Sequence, residues 1–360
     1  MAEPFAARFA AARDRFGPLV FGADPHASVL ARWNLTDDAE GLERFTDIVL
    51  TAASDNVGLI KPQSAFYERH GWRGVRALAR LAEAARERGI LVIMDVKRGD
   101  VGSTNDAYAQ AYIGDRAPLR ADALTVHPYL GLAAMDAYVR RAHASGACLL
   151  VVTRSSNPEG RAVQEARTGL GTTVEEQILS EIATINAELI RGASEGSADP
   201  GVRVDPGVPG GIGPVGAVIA PSPALPPLDL VAANALFLVP GVGAQGATPA
   251  DVAATFAACP ERVMPSVSRS LLAAGPDPTT LRDAAAGLNE EFRTRLGPPI
   301  GCLQGRPARW PPDRYRQGCS DVGRSCNERC AGADPDPGGQ RRGGVLRQSR
   351  YLGDALRRGT

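Results

Sequence analysis

Eight short apolar runs recur along the chain as far as Ser268, and each gives way to Gly, Asp, Ser or Pro before a longer amphipathic stretch begins. They are LVFGAD ending at Asp24, VGLIK ending at Lys61, ILVIMD ending at Asp95, ALTVHP around His127, ACLLVVT ending at Thr153, VGAVIA ending at Ala220, ALFLVP ending at Pro240 and RVMPSVS ending at Ser268. Their apolar character is continuous rather than alternating, which predicts strands of a parallel sheet covered on both faces. Between them, stretches such as DDAEGLERFTDIVLTAA, GVRALARLAEAARERG, TVEEQILSEIATINAELI and TPADVAATFAAC carry apolar residues at helical spacing. Several open on a Thr or Asp suited to cap a helix. Eight such β–α units predict an α/β fold closed into a (β/α)8 TIM barrel; a doubly wound sheet is the other architecture this alternation allows. The Gly- and Pro-rich passage from Gly192 to Pro214 reads as a surface loop before the sixth strand.

From Pro298 the pattern stops. Residues 298–360 have no apolar period, 12 Arg against 6 Asp and Glu, and four of the six cysteines. Such a composition cannot assemble a core, so the chain divides into a barrel domain, 1–297, and a tail, 298–360, expected to be disordered or a coding artefact. Cys319, Cys326 and Cys330 match no standard zinc spacing. Arg309, Trp310, Arg314 and Tyr315 interleave charge with aromatic rings, but nucleic acid is not the expected partner.

Charge and composition add limits. The 360 residues carry no formal net charge, and no segment approaches an unbroken apolar span long enough for a membrane. The N-terminus MAEPFAARFAAARDRFG has no leader pattern, and only Cys148 and Cys259 precede residue 297. A cytoplasmic protein without a disulfide framework is expected.

Of the 40 basic residues only Lys61 and Lys97 are lysines. A guanidinium cannot usefully release its proton, whereas an ammonium is a compact charge that can, so both positions are candidates for chemistry. Their placement supports this, because Asp24, Lys61 and Asp95 each end a predicted strand, and Lys97 and Asp100 follow in the third loop. Strand ends converge at the catalytic face of a barrel. Lys61 is therefore expected to face Asp95, Lys97 and Asp100 across one mouth, in an array where each charge favours its neighbour's ionised form. That suits a general acid better than a Schiff-base lysine. A purely structural network closing the rim is the other reading.

PGVGAQGAT, Pro240 to Thr248, is a Gly-rich turn running into a helix, and VSRSLLAAG places Arg269 in the next loop. Loops seven and eight are the usual phosphate site of such barrels, so Gly243, Gln245, Gly246 and Arg269 are candidate phosphate ligands. Ser155, Ser156 and Asn157 in TRSSNPEG could read the edge of a planar amide or base, although an Asn-Pro turn needs no such role. His127, at the end of the fourth run, is expected to be a packed or hydrogen-bonded residue rather than a catalyst. No cluster of ligand residues at metal spacing stands out, so no metal site is evident, and neither a P-loop nor a dinucleotide fingerprint appears.

DVKRGDVGST resembles the Asp-x-Lys-x-x-Asp signature of the orotidine 5'-phosphate decarboxylases. FGADPH, LIKPQSAFYE, HPYLG, SSNPEG, VPGVGAQGATPAD and VSRSLLAAGPD are similar to strings of that family's bacterial branch, actinobacterial members included, in the right order from about Phe5 to Leu296. The sixth strand departs from the pattern, reading VIAPSP in place of a Gly-Ala-Thr ending, and the tail has no counterpart. The resemblance implies a cofactor-free, metal-free conversion of orotidine 5'-monophosphate to uridine 5'-monophosphate and CO2 in pyrimidine synthesis. It further implies that Asp24 and Lys61 bind ribose hydroxyls, that Asp95 lies against the substrate carboxylate, and that Lys97 protonates C6. Ser156 would contact the pyrimidine, while Gln245 and Arg269 would hold the phosphate. Asp100 and Thr104 would reach into a partner subunit of a homodimer. Sugar-phosphate decarboxylases and aldolases share the barrel and the signature, and a non-catalytic phosphate-binding barrel with a basic tail is a third reading.

Overall fold

A computed structural model describes residues 2–195, 211–221 and 225–297. The tail from 298 to 360 and most of the expected loop before the sixth strand lie outside the described residues. Every one of the eight apolar runs is a strand: β1 (Val20–Gly22), β2 (Leu59–Lys61), β3 (Leu91–Arg98), β4 (Ala123–Val126), β5 (Cys148–Arg154), β6 (Val215–Ile219), β7 (Phe237–Val239) and β8 (Val263–Val267). They pair in parallel in chain order, and Val20↔Ser266 with Phe21↔Val267 joins β1 to β8. The sheet is thus a closed (β/α)8 barrel, and the doubly wound alternative, which needs two open edges, is excluded.

The strands bury two apolar populations. Ile60, Val92, Met94, Val96, Leu124 and Val126 pack outward under the helices, whereas Leu59, Leu91, Ile93, Ala123 and Met264 fill the inside. Because side chains alternate along a strand, the next inward positions after Leu59, Ile93, Ala123 and Met264 are Lys61, Asp95, Thr125 and Ser266. The barrel interior therefore passes from aliphatic at its base to polar at its C-terminal mouth.

The base is closed by the N-terminal helix Phe5–Phe16, whose Phe5, Phe9 and Ala12 join the inner cluster. It lies so close to β2 that a Cβ on Gly58 would sit 2.7 Å from the Ala12 methyl. Arg8 fastens the plug by pairing with Asp122 and by donating to the Gly146 carbonyl at 2.9 Å, and Asp122 Oδ2 accepts from Val92 N at 2.8 Å. The Thr cap expected at TPADV is Thr248, which shares a reciprocal pair of bonds with Asp251. The helix Val174–Glu195 runs further than its apolar period indicated and carries Gly192, expected in the loop, within its last turn. Among the described residues, no helix is long and apolar enough to cross a membrane.

Candidate active site

Three strands bring the polar residues of the mouth together. Asp24 follows β1, Lys61 ends β2, and Asp95 and Lys97 lie near the end of β3. Lys61 Nζ donates to Asp95 Oδ2 at 2.9 Å, and Lys97 Nζ donates to Asp95 Oδ1 at 2.5 Å. One carboxylate thus holds two ammoniums, one on each oxygen. Asp24 Oδ1 accepts from Gln63 N at 3.1 Å, which fixes the loop after β2 against the end of β1. Relative exposures of 9% for Asp24, 7% for Lys61 and 6% for Asp95 leave these charges little water.

Burial is the largest influence on Lys61 and opposes its charge, but Asp24 and Asp95 together outweigh it and hold the ammonium well above the ordinary lysine range. Burial likewise pushes the Asp95 carboxyl up, yet Lys61 and Lys97, by charge and by hydrogen bonds, hold it far below the usual carboxylate range. Lys61 and Asp95 are thus each held in the charged form by the other.

Lys97 stands on unusual backbone. Its φ is +46°, a left-handed conformation that costs a residue with a side chain roughly 1–2 kcal/mol. The pairing of β3 with β4 shifts at this point, being regular at Met94↔Leu124 and resuming at Arg98↔Val126. Thr125 Oγ1 accepts from both Val96 N and Lys97 N at 3.0 Å, and donates to Asp95 Oδ1 at 2.8 Å. Sequence reading passed over Thr125 because a threonine inside ALTVHP looks like β-branched filler.

Asp100 does not join the cluster, contrary to expectation. Its Oδ1 accepts from Val101 N at 2.6 Å and its own amide donates to Asn105 Oδ1 at 2.9 Å, so it is tied into its own loop, beyond the bulge. Thr104 lies in the first turn of the helix Gly102–Tyr112 beside it. β4 ends at Val126, so His127 stands one residue beyond the strand, and it is exposed rather than packed.

The phosphate candidates sit on the neighbouring rim. A cleft of about 340 Å³ is lined by Ser156, Arg161, Gly241, Gln245 and Asp251, with Ala220 and Pro221 where VIAPSP ends β6. Arg161 and Asp251 are charged members of this lining that sequence reading did not select. Gly241, Gly243 and Gly246 all have positive φ, so the turn requires glycine there. Gly243 N donates to Ala247 O at 2.8 Å and Gly246 N to Gly243 O at 2.9 Å. Both amides are therefore spent inside the turn, and these two glycines shape it rather than present N–H groups to an anion, as had been expected. What the turn presents is the exposed Gln245. Arg269, exposed after β8, is a neighbour of this turn, since a Cβ on Gly243 would meet Ser270 Oγ at 2.5 Å.

The Ser155–Ser156 segment is anchored by an ion pair that the sequence did not disclose. Arg154, at the end of β5, makes a bidentate pair with Glu175 in the first turn of the helix Val174–Glu195, both side chains 4% exposed, and donates to Pro226 O at 3.0 Å. Among the described residues, no group of three or more His, Cys, Asp or Glu is arranged to hold a metal ion.

Fold and mouth together define a (β/α)8 barrel that gathers fixed charges at the C-terminal ends of its strands, the face on which enzymes of this fold carry their sites. Comparison with known proteins is more specific. The sequence model of the Orotidine 5'-phosphate decarboxylase / HUMPS family matches residues 17–284, and the chain belongs to that family. It is 46% identical to the orotidine 5'-phosphate decarboxylase of Streptomyces coelicolor and 44% identical to that of Salinispora arenicola, each match covering 82% of this chain and 99% of the relative. A Streptomyces avermitilis crystal structure assigned to the same activity superposes with a TM-score of 0.72 at 44% identity, over 82% of this chain and 97% of that one. The Leishmania donovani OMP decarboxylase, 24% identical with a TM-score of 0.59 over 81% of this chain and 98% of its own, shares the fold.

Proposed function

We propose that the chain converts orotidine 5'-monophosphate to uridine 5'-monophosphate and CO2, using the cluster around Asp95 as its catalytic centre. The observation that carries this reading is the single buried carboxylate bonded to both Lys61 Nζ and Lys97 Nζ. In this reading Asp24 and Lys61 take the ribose hydroxyls, Asp95 lies beside the departing carboxylate, and Lys97 faces C6. When the bond to the carboxylate breaks, its electron pair stays on C6. The Lys97 ammonium stabilises that charge increasingly as the bond lengthens, and an interaction that strengthens toward the transition state is one that accelerates the step. Lys97 then gives its proton to C6, leaving a neutral amine that water reprotonates. Loss of orotidine-monophosphate absorbance on adding the protein, unaffected by EDTA, tests this; an unchanged spectrum beside EDTA-sensitive turnover of a sugar phosphate would favour the sugar-phosphate reading.

Ser156 is assigned to the pyrimidine, Gln245 and Arg269 to the phosphate. Binding of that remote group positions the ring over Lys97 and lowers the barrier only when phosphate is present. Arg269→Ala is expected to lower kcat/KM by roughly 10–100-fold, the worth of one hydrogen bond to a charged group. With orotidine, which lacks the phosphate, the variant and the unaltered enzyme should be equally slow. An equal loss on both substrates would remove Arg269 from the phosphate site.

Asp100 and Thr104 are assigned to the partner's site in a homodimer. Support comes from the exposed apolar side chains on the same rim: Val101 beside Asp100, and Tyr129 and Leu130 on the loop after β4, which touches Gly99 through His127 O. Co-expressing Lys97→Ala with Asp100→Ala chains should then restore part of an activity that neither has alone, because one site per mixed dimer is intact. Mixed chains as inactive as their components would contradict a shared site.

A further inference from the structure

The family signature names Asp95, Lys97 and Asp100 but is silent about what holds the lysine in place. We propose that Thr125 is the positioning residue of the mouth, its single hydroxyl fixing where the Lys97 ammonium stands relative to Asp95. The inference rests on the proposed decarboxylation for its kinetic consequence and on geometry for its structural one.

A threonine hydroxyl has one proton to donate and two lone pairs to accept with. Here all three are used, on Asp95 Oδ1, Val96 N and Lys97 N, and the residue is 1% exposed. These three partners are the residues that the strand pairing leaves over. Between Met94↔Leu124 and Arg98↔Val126, β3 advances by more residues than β4, and at this shift the amides of Val96 and Lys97 donate to a side chain, Thr125 Oγ1. The side chain of the one intervening β4 residue takes both.

A closed circuit results. The backbone amide of Lys97 is held by Thr125 Oγ1, Thr125 holds Asp95 Oδ1, and Asp95 Oδ1 holds the Nζ at the far end of the same lysine. Lys97 is thus pinned at both ends through one oxygen, which maintains its left-handed backbone at φ +46°. Valine has the same shape without any of the three bonds, and serine has the bonds without the methyl group. Those two substitutions separate the hydroxyl from the packing.

Thr125→Val is expected to lower kcat on orotidine monophosphate on the order of 10²-fold, the effect of misplacing a reacting group by about 1 Å. The dissociation constant for uridine 5'-monophosphate should stay unchanged, and Thr125→Ser should recover most of kcat. A structural defect alone would instead reduce the folded fraction and weaken product binding in parallel. Should Thr125→Val not fold, Thr125→Ala takes its place, since it removes the hydroxyl without burying new bulk against it. A crystal structure of the folded variant supplies the second readout: Lys97 is expected to leave positive φ and its Nζ to leave Asp95. Full kcat in Thr125→Val beside an active unaltered enzyme, or an unchanged Lys97 in the variant structure, would overturn the proposal. An unaltered enzyme that leaves orotidine monophosphate intact would defeat the decarboxylase reading, and the variant structure would still decide the role of Thr125.

Discussion

Replacing Lys97 by alanine is expected to leave a folded barrel that still binds uridine 5'-monophosphate and loses about 10⁴-fold in kcat, the upper range for removal of a positioned acid. Two contributions vanish together, the growing stabilisation of charge on C6 and the proton that quenches it. The fold should survive because the Lys97 side chain is 37% exposed, so its removal leaves no large hole in the core. Arginine at the same position is expected to fail almost as badly, since a guanidinium keeps a positive charge near the carbon but does not part with its proton at working pH. Single-turnover absorbance with enzyme in excess checks both variants. Rapid decarboxylation by Lys97→Ala would assign the proton to another group.

Asp95→Asn should damage stability as well as activity. The amide is nearly isosteric but takes from Lys61, 9% exposed in its side chain, its hydrogen-bonded carboxylate partner, leaving Asp24 as the one remaining charge that offsets its burial. Breaking a buried pair in this way costs about 3–5 kcal/mol, most of it through Lys61, because the more exposed Lys97 is screened by solvent. Urea unfolding of the two proteins measures the difference. Its pH dependence follows from the directions of the shifts. The Asp95 carboxyl is held below the ordinary range, so its contribution is full above the pKa of an unfolded aspartate, about 3.9, and fades as pH falls further toward the folded value. Lys61 is held above the ordinary range, so its share is full below the unfolded lysine pKa, about 10.4, and is lost as pH rises through the folded value. The stability gap should therefore be flat from about pH 5 to 9 and shrink in acid. A gap that instead grew on acidification would mean that Asp95 is not the ionised centre of the cluster.

Much of the mouth was legible because barrel geometry converts a position along a strand into a place in space. Asp24, Lys61 and Asp95 end apolar runs, and two lysines in a chain that otherwise uses arginine drew attention to the same loops. Asp100 lies only three residues past Lys97, yet spacing alone did not reveal that a bulge and the bonds to Val101 and Asn105 turn it into its own loop. Thr125 was hidden for a different reason: its role depends on a register shift between β3 and β4, which leaves no trace in either strand's composition. The same holds for Arg154 and Glu175, which lie far apart in sequence and meet only when β5 and the following helix pack. Glycines in PGVGAQGAT were correctly seen as a turn, but hydrogen bonds within that turn consume the amides on which the anion-binding expectation depended. The N-terminal helix was read only for its lack of a leader, although Phe5 and Phe9 at helical spacing are the plug of the barrel base.

Ultraviolet absorbance of orotidine 5'-monophosphate, followed in the presence of EDTA with the intact chain, tests the central claim most directly. Two ammoniums anchored on Asp95 should carry the substrate quantitatively to uridine 5'-monophosphate with release of one CO2 per molecule. A spectrum that stays that of orotidine monophosphate, with properly folded protein and bound nucleotide, would contradict it.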